Sequence, residues 1–284
     1  MKRAPLLLMT LLIVSLLTWP ASQALAQVAG YTGCGGVTSP PVSNPAYEQT
    51  VLALVNAQRA SNGGLPPLKR VDPLDQAARY HAIDMAQDRY FYHNTYDRNP
   101  SRQLVEICNT SQRLETYYTG WVAMGENIAG GQESPQEAVV GWMGSSGHRA
   151  NILSTNAYEV GVGYYPGGTY GTVWVLDFGR RENIYPLVIN REDETVTSRN
   201  VNLYIYGEGT WSEMRLRNDS DPWNAWQPFQ KEVSWTLQDL SGERTVWVEL
   251  RQGTRTLTSS DTIRYTGSAT NLTTVNIYLP GIFR

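Results

Sequence analysis

The sequence predicts an α+β segment over residues 44–182 followed by an all-β sandwich over residues 185–265. Three observations predict it. Apolar stripes at helical spacing open at Asn44-Pro45, Asp72-Pro73 and Ser134-Pro135. A two-strand pattern then runs from Val160 to Phe178 around Pro166-Gly167-Gly168. Beyond residue 185 the apolar residues recur at every second position.

Residues 1–26 read as a signal peptide. Lys2 and Arg3 precede an apolar run from Pro5 to Trp19, and Ala24-Leu25-Ala26 forms a small-x-small cleavage site before Gln27. The run is shorter than the ~20 apolar residues that span a bilayer. No later segment approaches such a span, so the expected location is secreted, outside the cell. Residues 27–43, with Gly30, Gly33, Gly35, Gly36 and Pro40-Pro41, read as a flexible lead-in.

The first helix begins at Asn44, whose side chain can cap free N–H groups, with Pro45 pre-set for the first helical position. Tyr47, Val51, Leu54 and Val55 share one face, and Asn62-Gly63-Gly64 ends it. The second carries Asp75 in its first turn, where the helix dipole favours an acid. Its apolar stripe is Leu74, Ala78, His81 and Met85. The third fits a capping box, Ser134 to Glu137, with Val139, Val140, Trp142 and Met143 as its packing face. Helices gathered on an antiparallel sheet define the α+β class.

Past a polar junction at Arg180-Arg181-Glu182-Asn183, four alternating sets follow: Val201/Leu203/Ile205, Met214/Leu216, Val233/Trp235/Leu237 and Val246/Val248/Leu250. About seven short strands in eighty residues fit a small sandwich. Trp211, Trp223, Trp226, Trp235 and Trp247 read mainly as its core. Residues 266–284 read as a C-terminal tail or last strand.

Composition narrows the function. The chain is 17% charged and 41% hydrophobic, which fits a folded protein. Lys2 and Arg3 are the only charges before Gln27, so the remainder carries 21 basic and 26 acidic residues, a net charge of −5. That balance lacks the basic footprint of a nucleic-acid binder. Export permits a disulfide, and Cys34 and Cys108 allow one pairing; two free thiols are the alternative. Two isolated cysteines make no CxxC redox or zinc pair.

Three histidines are present. His81 lies on an apolar stripe and reads as a packed helix histidine. His93 follows Tyr90-Phe91-Tyr92, and His148 lies in Ser145-Ser146-Gly147-His148-Arg149. Glu126 lies in Gly125-Glu126-Asn127. Spacing alone does not bring them together, and they form no HExxH pattern. No Gly-x-Ser-x-Gly elbow accompanies Ser145 or Ser146, which argues against a serine hydrolase.

Residues 47–180 resemble the CAP superfamily, also called SCP or PR-1-like domains, in its bacterial form. The matching segments include Phe91-Tyr92-His93, Gly125-Glu126-Asn127-Ile128-Ala129, Trp142-Met143-Gly144-Ser145, Gly147-His148-Arg149-Ala150-Asn151-Ile152-Leu153, Val160-Gly161-Val162-Gly163 and Asp177-Phe178-Gly179. The resemblance implies an α-β-α sandwich with a His/Glu cleft in which some members bind a divalent metal. His93 and His148 match the two cleft histidines, and Glu126 matches the first glutamate. The second glutamate falls at Ser145. Residues 185–265 are similar, less specifically, to immunoglobulin-like modules of secreted bacterial proteins.

The resemblance implies a protein binding an extracellular ligand, such as a lipid or cell-surface component, through His93, Glu126, Asn127, Ser145 and His148. One divalent metal, zinc first, would sit on His93 and His148. An alternative is an extracellular hydrolase dependent on a metal or on carboxylates, with Glu126 as its catalytic base. A third is a structural or adhesive surface protein, in which the cluster only pins helices to the sheet.

Overall fold

Asn44 opens the first helix as its position predicts. Its Oδ1 accepts the Tyr47 N–H at 3.1 Å, and Pro45 takes the first helical position. The computed structural model describes residues 30–267. The expected leader, 1–26, and nearly all of the expected tail, 266–284, lie outside those residues. So does Val275 to Phe283.

The helical half runs α1 (Pro45–Ser61), β1 (Lys69–Arg70), α2 (Asp72–Asp88), β2 (Thr95–Arg98), β3 (Leu104–Cys108) and α3 (Thr110–Glu115). It continues with β4 (Trp121–Gly130), α4 (Pro135–Gly144), α5 (Ser146–Ile152), β5 (Glu159–Pro166) and β6 (Thr172–Arg181). One sheet has the order β1-β5-β6-β4, with β1 parallel to β5 and the other pairs antiparallel. Strand alternation then divides its two faces. Val160, Val162, Trp174, Leu176 and Phe178 pack on Val51, Leu52 and Val55 of α1 and on Val139 and Trp142 of α4. Val173 and Val175 meet Ala78, Ala82 and Met85 of α2 on the opposite face. The result is three layers, helix on sheet on helix.

Gly161 and Gly163 set the distance between α2 and the sheet. A Cβ on Gly161 would lie 2.0 Å from the Leu74 carbonyl carbon, and one on Gly163 would lie 2.3 Å from that of Ala78. No side chain fits there, so the helix backbone rests almost directly on β5.

Two local expectations change. Val140 is 71% exposed, because Ala138, Val139 and Trp142 already fill the inward face of α4. Ser134 caps α4 through the Glu137 N–H at 3.3 Å, but the Glu137 side chain accepts from the Glu133 N–H and the box does not close. His148 lies within a separate short helix, α5.

The lead-in has no regular element in its described part, yet it is tied down. Tyr31 is buried, with its N–H and C=O bonded to Gln87. Tyr80 donates to the Gly33 carbonyl at 2.8 Å. Cys34 and Cys108 form the expected disulfide, with Cα atoms 5.7 Å apart.

The second half contains β7 (Leu187–Ile189), β8 (Thr195–Val196), β9 (Asn200–Ile205), β10 (Glu213–Asn218) and β11 (Gln227–Pro228). It ends with β12 (Glu232–Thr236), β13 (Gly242–Gln252) and β14 (Arg255–Tyr265). Two sheets, β11-β10-β13-β14-β8 and β12-β9-β7, enclose one core built from Leu187, Leu203, Ile205, Leu216, Val248 and Ile263. Trp211 and Trp235 join that core as expected. Trp223, Trp226 and Trp247 do not: they stack with Arg215, Arg217 and Arg251, with guanidinium carbons 3.9–5.3 Å from the ring centres.

Polar groups join the halves. Lys69 Nζ of β1 pairs with Glu192 at 2.8 Å and with Asp261 of β14. Asn56 donates to the Leu68 and Arg191 carbonyls, and Tyr206 donates to the Pro67 carbonyl.

Candidate functional site

β4 positions the central residues. It is one of the two edge strands of the four-stranded sheet, and neighbouring side chains on it leave by opposite faces. Ile128 joins the α2 core and Ala129 the α1/α4 core, which places Glu126 on the first face and Asn127 on the second. The pair thus reaches two sets of partners around one sheet edge.

On the α2 face, Glu126 is almost fully buried. Its Oε1 accepts from His93 Nδ1 at 2.8 Å, and its Oε2 accepts from Arg113 Nη2. Arg113 is wholly buried and extends from α3, whose capping box of Asn109 and Gln112 is complete. The same guanidinium donates to the His93 carbonyl and to Thr95 Oγ1, each at 2.9 Å. It therefore holds both the carboxylate and the backbone that presents the histidine.

Electrostatics follow from this packing. Burial pushes the Glu126 carboxyl up, but Arg113 and then the histidines outweigh it and hold the group at about 2. Asp177 of β6 sits directly opposite Glu126 in the strand register and is wholly buried. Burial first, then the Glu126 charge, push its carboxyl well above the usual range. The pair is thus driven apart, with Glu126 keeping its charge and Asp177 holding its proton the more tightly. His81 is wholly buried, with Nε2 3.0 Å from the Tyr92 carbonyl and 4.0 Å from Glu126 Oε1. Burial, then Arg113, push its ring down to about 3, so it stays neutral as a packed helix histidine.

On the other face, Asn127 donates to the His148 carbonyl at 3.0 Å. Asn151 bridges the Asn127 side chain at 2.9 Å and the Glu126 carbonyl at 3.2 Å. The half-buried His148 ring is pushed down by burial and then by the nearby charge of His93. Ser145 is the residue between α4 and α5, its N–H bonded to the Trp142 carbonyl. It stands one turn before His148.

Of the expected residues, His93 and Glu126 meet directly, and Asn127 meets His148 through its backbone. The ligand atoms of His93, Glu126 and His148 do not all lie within 4.8 Å of one another; among the described residues that holds for Asp84, Asp88 and Asp97 alone. Glu126 is thus placed to orient His93. In the neutral ring, contact with Glu126 Oε1 favours the tautomer with its proton on His93 Nδ1 and the lone pair on Nε2, on a side chain 51% exposed. A hollow of about 150 Å³ borders Gly125, Asn151 and Phe178 behind the site. A second, of about 470 Å³, lies away from it, lined by Pro67, Arg191, Tyr204 and Glu232.

Sequence reasoning missed Arg113, Asp177, Asn151 and β4 itself. Asp177 and Asn151 lie in segments that carry the family resemblance. Arg113 had one signal, the Asn109-x-x-Gln112 box before it.

Residues 52–178 match the family model described as CAP, cysteine-rich secretory protein family. Residues 52–178, under half of the chain, are thus its CAP domain. Over 141 residues it is 37% identical to the uncharacterized protein YkwD of Bacillus subtilis, covering 50% of each chain. Over 116 residues it is 31% identical to the uncharacterized membrane protein YlbC of the same organism, covering 41% of this chain and 31% of that one. The chain thus spans about half and about a third of these curated relatives. Among solved structures it is similar to an outer surface protein from Borrelia burgdorferi, with 19% identity and a TM-score of 0.43, covering 50% of this chain and 97% of that one. It is also similar to an extracellular SCP-domain protein from Bacillus anthracis, with 27% identity and a TM-score of 0.41, covering 50% and 45%. Among the described residues, no helix of the CAP domain or of the strand-rich half is long and apolar enough to cross a membrane.

Proposed function

We propose that the chain is a secreted CAP-domain protein that binds an extracellular ligand in the cleft formed by His93, Glu126, Asn127, Ser145 and His148. A divalent metal, zinc first, would sit on the ring nitrogens of His93 and His148. The observation that carries this reading is the 2.8 Å contact from His93 Nδ1 to Glu126, on a half-exposed ring. A carboxylate behind a histidine fixes its tautomer and strengthens the remaining nitrogen as a ligand. His148, pushed below its ordinary value, is neutral at pH 7 and keeps a lone pair to offer. Such a metal would supply a Lewis acid able to hold an oxygen of the bound ligand.

The same geometry favours a binder over a hydrolase. A carboxylate at about 2, with both oxygens engaged, is a weak general base. Secretion is supported by the leader-like sequence and by the disulfide. The strand-rich half, read as an immunoglobulin-like module, would serve as a spacer or adhesion unit.

Equilibrium dialysis against Zn²⁺ tests the metal. We expect one tightly held ion in the native chain and its loss in a His93→Ala/His148→Ala double variant. Glu126→Gln should weaken uptake by about 10–100-fold while the chain stays folded. Native chain without zinc uptake overturns the metal centre.

A further inference from the structure

We propose that Asp84, Asp88 and Asp97 form a second cation site, selective for Ca²⁺, that fastens the disulfide-bearing segment to the CAP domain. The proposal does not rest on the His93 cleft.

Asp84 and Asp88 stand one turn apart near the end of α2, and Asp97 comes from β2. Each offers a ligand oxygen within 4.8 Å of the other two. Asp84 is wholly buried and Asp88 is 8% exposed. The second observation is what these carboxylates lack. Asp84 Oδ1, Asp88 Oδ2 and Asp97 Oδ1 are each buried without a hydrogen-bond donor. Asp84 Oδ2 is taken by the Tyr90 hydroxyl, and Asp97 Oδ2 by the Gly33 N–H at 2.9 Å. Arg98, the neighbouring cation, directs its Nε and an Nη1 donor to the carbonyls of Asp88 and Arg102, and its charge offsets part of the burial that raises the Asp88 carboxyl.

Three converging carboxylates with one undonated oxygen apiece are costly unless a positive charge joins them. Burial foremost, then Asp88 and Asp97 among the charges that raise it, push the Asp84 carboxyl up to about 8, which is the mark of that missing charge. An all-oxygen set without nitrogen or sulfur suits a hard cation. Ca²⁺ accepts an irregular shell completed by water and backbone carbonyls, whereas Mg²⁺ demands near-octahedral order. The charge on the ion would link α2, β2 and, through Asp97, the Gly33 backbone beside Cys34.

Terbium luminescence on the full chain tests this, with Tyr90 beside Asp84 as the sensitiser. We expect a saturable Tb³⁺ signal that Ca²⁺ displaces at on the order of 0.1–1 mM, as for extracellular calcium modules, and that Mg²⁺ displaces poorly. The signal should persist in the His93→Ala/His148→Ala variant and weaken at least tenfold in Asp88→Asn and Asp97→Asn. Calcium at about a hundredfold over its dissociation constant should raise the unfolding midpoint of the native chain by about 5–10 °C. That shift decides the matter if either Asn variant fails to fold. A native chain whose midpoint ignores Ca²⁺, or Asn variants that bind Tb³⁺ as the native chain does, overturns the proposal.

Discussion

Arg113 is the side chain on which the His/Glu cleft depends. It is wholly buried and neutralises Glu126 while holding the His93 carbonyl. Arg113→Met should therefore cost about 3–5 kcal/mol, because an ionised carboxylate is left without its partner. At ~2–4 °C per kcal/mol, thermal unfolding should fall by about 10 °C. His81 gives a pH signature. Its folded pKa of about 3 lies below the unfolded 6.5, so only the unfolded chain takes up a proton between those values. The stabilising effect of a neutral His81 is complete above 6.5 and declines by about 1.4 kcal/mol per pH unit down to 3. The stability difference between the native chain and His81→Gln, measured by urea unfolding across that window, should shrink as pH falls. A difference independent of pH would mean that His81 titrates normally. His93, Glu126 and His148 were legible because they sit in short segments with a family pattern. Arg113 was not: a lone arginine among polar residues looks solvated, and only the tertiary structure shows that it is buried.

Among the elements, those with strong start signals were the easiest to read. Asn44-Pro45 and Ser134-Pro135 mark the starts of α1 and α4, and alternation marks β5. β4 escaped notice because Gly125 and Gly130 interrupt its pattern, and its polar Glu126 and Asn127 face inward. β14 reads as polar for most of its length, since its apolar core contribution is confined to Ile263, Tyr265 and the partly buried Leu257. The α2–β5 contact carries a sharp expectation. Gly163→Ala places a methyl 2.3 Å from the Ala78 backbone, and backbone at that distance cannot give way as a flexible side chain would. We expect a loss of about 3 kcal/mol, read as a lower urea midpoint. Gly141→Ala, where nothing lies within 4 Å of the added Cβ, serves as the control and should leave the midpoint unchanged or slightly raised.

Across the whole molecule, the CAP domain and the strand-rich half meet through charge as well as through neutral hydrogen bonds and a Tyr158–Tyr206 ring contact. Lys69 projects from the edge of one sheet to two carboxylates, Glu192 and Asp261, and Asp261 Oδ2 also accepts the Ile189 N–H at 2.7 Å. Burial first, then Asp261, push the Glu192 carboxyl up to about 7. Lys69→Met removes the cation bonded to that pair and should cost about 3–5 kcal/mol. If the halves unfold as one unit, calorimetry will show a single transition moving down. If the junction is weak, the native transition will already be split in two. Sequence reasoning placed a polar junction near residue 182 but did not foresee this seam, because Lys69 and Asp261 are 192 positions apart.

The alternation of β4 has a consequence for how this protein can vary. Glu126 and Asn127 serve opposite sides of the sheet only because they are adjacent on a strand whose count is fixed by nine paired positions with β6. Losing one amino acid within the regular ladder that starts at Ala123 would swap the two, whereas the irregularity between Trp121 and Ala123 already absorbs one extra residue. The acid would then face the asparagine shelf of α5, and the amide would confront the Arg113 guanidinium. From Ala123 to Gly130 this strand therefore tolerates only changes that conserve its parity.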